Sequence, residues 1–343
     1  MNIKNTIIPG LILTALIGYL SETLHEIIII GGQKPISGVI IAIIAGILIK
    51  NTIGVGETFQ KGIDFALKKV LKGAIIILGL SLSFITVVTI GLKALTIILI
   101  CVTFAITITY YIGKKLGLPD KLATLIGIGT AICGSTAIVA ASPAIDAKDE
   151  EVTFSVATIT IFGVLAIFLY PILGKLLALT DMQFGAWAGV AVHETAQVVA
   201  AGFAFSDAAG KVATVVKLTR TVLLAPIVLI LGVVYSRKQS EHSAGQKVNY
   251  FKIFPWFVVG FIAMAGFRTY GDAMWANSIQ WETFLAQGTA LAKFMIVIAM
   301  AGVGLLTNFE DMKRVGIKPF IVGLVASLIM AVFSIVLILT LGI

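Results

Sequence analysis

An all-α, polytopic membrane protein of about eleven transmembrane helices is the fold the sequence predicts, on three observations. Hydrophobic residues make up 59% of the 343 and charged residues only 12%, with a mean hydropathy of +1.06. A soluble domain is about a quarter charged and needs that polar material to cover its surface. Apolar stretches recur at about the 20 residues that a helix rising 1.5 Å per residue needs to cross the hydrocarbon core. Basic residues also alternate between successive connections, as the positive-inside rule requires.

The first span, near 7–20, follows Lys4 and imitates a secretory leader, but Ala15-Leu16-Ile17 is a poor cleavage site and the segment reads as a retained helix. The others fall near 35–49, 70–90, 94–112, 122–142, 152–174, 184–205, 212–235, 253–267, 284–306 and 318–341. Between the second and third, residues 51–69 place Phe59, Ile63 and Leu67 on one face with lysines on others, the pattern of a helix lying along the cytoplasmic interface. Lys50, Lys61, Lys68, Lys69, Lys72, Lys114, Lys115, Lys121, Lys175, Arg237, Lys238, Lys247, Lys252, Lys313, Arg314 and Lys318 then fall on one side. Lys34, Lys93, Lys148, Lys211 and Arg268 fall opposite, diluted by Glu22, Glu26, Asp146, Asp149, Glu150, Glu151, Asp207, Asp272 and Glu282. The expected orientation in the cell (inner) membrane is N-terminus cytoplasmic and C-terminus outside. The chain reads as one transmembrane transporter domain, 1–343, with halves 1–178 and 184–343 and a hydrophilic cytoplasmic linker at 237–252.

Two internal echoes bear on the architecture. Gly79-Leu80-Ser81-Leu82-Ser83-Phe84 corresponds to Gly304-Leu305-Leu306-Thr307-Asn308-Phe309 at an offset of 225 residues, kept by Gly91-Leu92-Lys93 and Gly316-Ile317-Lys318. On the topology above, the two copies end their helices on opposite sides, which predicts an inverted repeat. Val139-Ala140-Ala141 against Val199-Ala200-Ala201 relates two helices expected to share one orientation, which simple inversion does not produce.

Two spans read as interrupted. Residues 127–143, GIGTAICGSTAIVAASP, are a run of small and hydroxyl residues closed by Pro143; unwound backbone at that depth is tolerated only against protein or a water-filled cavity. Tight helix packing through small residues is the bland reading. Residues 189–202, GVAVHETAQVVAAG, put His193, Glu194, Thr195 and Gln197 well inside a span, where an ionisable group costs at least ~2.5 kcal/mol on insertion scales. Lys217 and Arg220, three apart on the next span, share a helix face, and Lys217 lies near enough to the outer end to snorkel as the alternative. Arg220 lies too deep to snorkel and calls for Glu194 or a bound anion as its partner; Lys293 raises the same question. Three cations against one acid predict a small anionic solute. The expected substrate-binding set is Gly134, Ser135, Thr136, His193, Thr195, Gln197, Lys217, Arg220 and Lys293, with Glu194 or His193 coupling H+ or Na+ movement to the solute.

Other classes find less support. His193-Glu194-Thr195-Ala196-Gln197 lacks the second histidine of a zinc-protease motif, and His25 and His242 lie in expected loops. Ser135 and Ser142 lack a nucleophile elbow, and the chain has no P-loop. Cys101 and Cys133 sit inside apolar segments and make no disulfide framework. The expectation is therefore no enzyme, no cofactor and no metal. The net charge of +8 is accounted for by topology, without nucleic acid. An anion channel, or a membrane enzyme or scaffold without transport, is the alternative, and a homo-oligomer is compatible with the sequence.

Three segments in order, GIGTAICGSTAIVAASPAI, AVHETAQVVAAG and KLTRTVLLAP, resemble the YeiH-type family of proposed sulfate exporters over essentially the whole length. The later GLLTNFEDMKRVGIKP is similar to the helix-turn-helix of bile-acid-type symporters. The resemblance implies a secondary carrier built from inverted repeats with broken helices, exporting sulfate or a small sulfonate. Two departures from the symporter pattern stand out: eleven spans in place of ten, and a second broken segment that precedes its GLLTNF motif.

Overall fold

The computed structural model describes residues 6–28, 37–238, 255–275, 278–310 and 316–342, and among them it is helical with no strand. Lys34, His242, Lys247, Lys252, Lys313, Arg314 and the linker from residue 239 onward lie outside the described residues. Six helices are long and apolar enough to cross a membrane by length and composition: Ile8–Ile27, Phe84–Lys115, Asp149–Leu176, Asp207–Tyr235, Ile279–Leu306 and Ile317–Leu341. A membrane protein therefore fits both composition and structure.

The chain forms two compact units, Met1–Thr89 with Trp256–Phe309, and Ile90–Pro255 with Glu310–Ile343. Each takes segments from both halves of the sequence. The first unit holds α1 (Ile8–Ile27), α2 (Gly38–Thr52), α3 (Glu57–Phe65), α4 (Leu71–Leu78), α13 (Trp256–Met274) and α14 (Ile279–Leu306). Small residues bring its helices close: a Cβ on Gly46 of α2 would stand 2.7 Å from the Ala301 carbonyl oxygen of α14. The amphipathic segment 51–69 is not a separate interfacial helix. From Glu57 it runs through a π-helical turn, Ala66–Val70, into α4, and Ile63 and Ala66 are fully buried. The helix then ends at Gly79–Ser81, and residues 84–90, expected in the third span, open α5 (Phe84–Lys115) instead.

Both copies of the 225-residue echo fall on such a helix end and restart. The Phe84 amide donates to Thr269 Oγ1 (2.8 Å), and its counterpart, the Phe309 amide, donates to Asn51 Oδ1 (2.9 Å). Arg268 donates to the Leu80 carbonyl (3.0 Å), and Asn51 Nδ2 to that of Thr307 (2.9 Å). Carbonyls and amides that a broken helix leaves unpaired are thus clamped by side chains at both places.

The second unit holds the rest of α5, then α6 (Asp120–Ala131), α7 (Ser135–Ala141), α8 (Asp149–Leu176), α9 (Asp181–Ala191), α10 (Thr195–Phe205), α11 (Asp207–Val222), α12 (Leu224–Lys238) and α15 (Ile317–Leu341). The segments 122–142 and 184–205, expected to be interrupted spans, are hairpins. The Lys121 ammonium meets the Asp146 carboxylate at 3.2 Å, although a straight helix would hold residues 25 apart about 37 Å from each other. On α12, Tyr235 bonds Thr124 of one arm (2.7 Å), and Gly232 faces Ala144 at the end of the other. In the second hairpin Ser206 Oγ donates to Asp181 Oδ1 (2.6 Å), and the Phe184 and Phe205 rings stack at 4.0 Å.

The first hairpin opens beside the start of α8, while the second opens beside its end, where Gly174 faces Phe184 and Phe205. Their tips meet halfway along α8: Ile159 lies against Gly134, and Gln197 Nε2 donates to the Thr160 carbonyl (3.4 Å). This corrects the reading of the second echo. Val139–Ala141 and Val199–Ala201 sit on the returning arms of hairpins that enter from opposite ends, so their orientations oppose.

Candidate functional site at the hairpin tips

Each hairpin turns by breaking its helix, which leaves carbonyls unpaired at the C-terminal ends of α6 and α9 and amides unpaired at the N-terminal ends of α7 and α10. The carbonyl ends carry about half a negative charge each. Two side chains of α11 answer them. Lys217 Nζ donates to the carbonyls of Ile132 (2.9 Å), Val192 (3.0 Å) and His193. Arg220 donates through Nε to Ile132, through one terminal nitrogen to Val190 and at 3.4 Å to Gly189, and through the other to Thr130 (3.1 Å). Both side chains are 0% exposed.

The shared face expected from their spacing of three is what lets one helix reach both tips. Their partners differ from expectation. Arg220 is not paired with Glu194: among the described residues four backbone carbonyls supply the negative end of its contacts.

The amide side of the crossing is governed by Glu194, the half-buried N-cap of α10. Its backbone amide donates to Gln197 Oε1 (3.1 Å), and its carboxylate accepts the Ser135 amide at the start of α7 (3.4 Å). The approach is possible because residue 134 is glycine: at φ +73° and ψ −132° a side chain is strained, and a Cβ there would overlap Glu194 Cγ. Gly163 on α8 likewise leaves the space that the Gln197 amide fills.

His193, 2% exposed, lies with Nε2 3.0 Å from Ser327 Oγ of α15, while its Nδ1 has no hydrogen-bond partner among the described residues. Thr130 Oγ1, buried in the last turn of α6, has none among them either. Buried polar atoms of this kind are rare and call for an explanation such as a ligand or an ordered water.

Of the residues expected in the site, Gly134, Ser135, His193, Glu194, Gln197, Lys217 and Arg220 gather at the tips. Thr195 is half-buried in the first turn of α10, and Thr136 is exposed on α7. Lys293 lies on α14 of the first unit, partly buried there. Sequence reasoning missed Ser327, one of two serines in the largely apolar α15, and Thr130. No group of three His, Cys, Asp or Glu side chains placed to hold a metal occurs among the described residues.

Comparisons with known proteins agree over nearly the full length. A family model described as Conserved hypothetical protein 698 matches residues 9–323. The chain is similar to a UPF0324 membrane protein of Clostridium tetani, 35% identical over 344 residues covering 97% of each chain. It is also similar to one of Streptococcus agalactiae, 36% identical over 321 residues and 92% of each chain. A third, of Nitratidesulfovibrio vulgaris, is 31% identical over 325 residues, 92% of this chain and 88% of the relative.

Proposed function

We propose that this chain, which belongs to the UPF0324 membrane protein family, the YeiH-type family its motifs resemble, is a secondary transporter of a small anion. One observation carries the reading: two helical hairpins enter from opposite ends of a 28-residue helix and meet tip to tip halfway along it, around two fully buried cations. Half-helix ends at mid-depth are the means by which carriers build a solute site inside a bilayer, and access from opposite ends is what alternating access requires.

In this reading the membrane is crossed by α1, α2, α3–α4, α5, α8, α11–α12, α13, α14 and α15, and the two hairpins re-enter without crossing. The N-terminus stays cytoplasmic and the C-terminus outside. Relative to the alternation of eleven spans, only the connections at 143–151 and 175–183 change sides. The two opposed hairpins form one inverted pair, and the two clamped echoes, at their own offset of 225 residues, form another.

The chemistry at the tips supports an anion. Lys217 and Arg220 neutralise the carbonyl ends, and the amide ends of α7 and α10 face Glu194, with the unpartnered His193 Nδ1 and Thr130 hydroxyl close by in the chain. A solute anion would compete with the Glu194 carboxylate for the same amides, so that proton uptake by Glu194 accompanies anion binding and couples the two. Sulfate and small sulfonates are the substrates to try first.

The test is thermal stabilisation of the purified protein by sulfate, sulfite, short sulfonates and dicarboxylates, followed by flux into proteoliposomes. A ligand at a hundredfold excess over Kd adds about 2.7 kcal/mol. A selective shift with matching flux supports the reading, and the absence of both with every anion removes it.

A further inference from the structure

Half-helix carbonyl ends at membrane depth are places where carriers coordinate a coupling cation such as Na+. Here the carbonyls of Ile132, Val192 and His193, drawn from both hairpin tips, converge on one point, and that point is occupied by Lys217 Nζ. The ammonium has three donors and meets three oxygens, so its hydrogen-bonding capacity is filled. Backbone oxygens arranged in this way are also what replaces the hydration shell of an alkali cation. Arg220 sits one turn along the same helix and takes the second electron pair of the Ile132 carbonyl together with those of Thr130 and Val190.

We infer that Lys217 is a tethered substitute for a coupling cation: its ammonium fills a monovalent-cation cage, so that this chain binds and moves its solute independently of Na+ and K+. The inference rests on the transporter reading for its functional half, while the cage itself stands on geometry alone. It follows that the cage reappears as a cation site when the lysine is shortened. A free ammonium ion suits it best, because it restores the same three donors, and Na+ and K+ follow. Arg220 remains beside the site as a fixed positive charge, which keeps the affinity for any such ion weak.

The full chain and its Lys217→Ala and Lys217→Met variants are melted in choline, sodium, potassium and ammonium chlorides at equal ionic strength. The wild type melts at the same temperature in all four salts. Lys217→Ala melts lower in choline and recovers by about 3 °C in ammonium at a tenfold excess over Kd. Lys217→Met, whose side chain fills the space without a charge, gains nothing. A wild type stabilised by Na+ or K+ over choline overturns the inference, as does Lys217→Ala with no response to any cation. Should the alanine variant fail to fold, wild-type solute flux decides: unchanged flux when choline replaces Na+ and K+ supports the inference, and lost flux overturns it. Absent flux in every salt with ammonium recovery intact overturns transport and leaves the cage standing.

Discussion

Replacing Arg220 by methionine tests whether the buried guanidinium holds the two hairpin tips together. The side chain is 0% exposed and reaches four carbonyls on two hairpins. Of these, Ile132 keeps Lys217 as a donor, and the Gly189 contact is long at 3.4 Å. Thr130 and Val190 lose the side-chain donor each has. A buried acceptor left unpaired costs about 1–3 kcal/mol, so two give roughly 2–6 kcal/mol. At about 2–4 °C per kcal/mol the melting temperature falls on the order of 10 °C in detergent, with or without solute. Arg220→Lys keeps the charge but cannot span from Thr130 to Val190, so it falls about half as far. A methionine variant within about 2 °C of the wild type, or a lysine variant as unstable as methionine, would refute the clamp.

Further outcomes follow from the same contacts. Single cysteines at Asp146 and Ser206, with Lys115→Cys as reference, report hairpin topology through a membrane-impermeant maleimide: 146 reacts from the same side as 115 and 206 from the other, whereas crossing spans put 146 opposite 115. Gly134→Ala forces a side chain into a backbone region costing about 1–3 kcal/mol and against Glu194 Cγ, so the melting temperature falls with or without solute. Asn51→Ala removes the bonds to Thr307 and Phe309 and lowers stability by about 1–3 kcal/mol, measured by melting; Asn51→Asp, which keeps the acceptor for the Phe309 amide, loses less.

Helix positions were legible in the sequence because twenty apolar residues in water-free surroundings have few alternatives to a helix. The unusual segments were legible too, since glycines, hydroxyls and charges at depth stand out against Leu and Ile. Whether such a segment crosses or turns back was not. That depends on pairs 25 residues apart, Lys121 with Asp146 and Asp181 with Ser206, which no periodicity marks. The amphipathic run after Asn51 misled for a related reason: a helix packed on one side, with Gly10 against Gly62, shows the same one-sided pattern as an interfacial helix. At the site, the cations were found and their partners were not, because the partners are backbone carbonyls, and every residue has one.

The four helix ends at the tips are not equivalent, and the difference predicts how the site responds to pH. The two carbonyl ends are answered by Lys217 and Arg220, which belong to the chain and cannot leave. The amide ends face Glu194, a group that can lose its charge without moving away. Cys133 and Lys217 are ionisable neighbours of this carboxylate at the tips, and His193, which bonds Ser327 through Nε2, and Arg220 lie at the same tips. If the carboxylate and the solute anion compete for the amides, each anion bound requires one proton taken up wherever Glu194 is ionised. The apparent Kd then rises about tenfold per pH unit there, which is the linkage between binding and proton uptake. Glu194→Gln removes the competitor, so its affinity matches the protonated wild type and stays flat over the same range. Isothermal binding curves at three pH values for both proteins check this. A wild-type Kd that does not change with pH, or a glutamine variant as pH-dependent as the wild type, would mean that the carboxylate does not gate the amides.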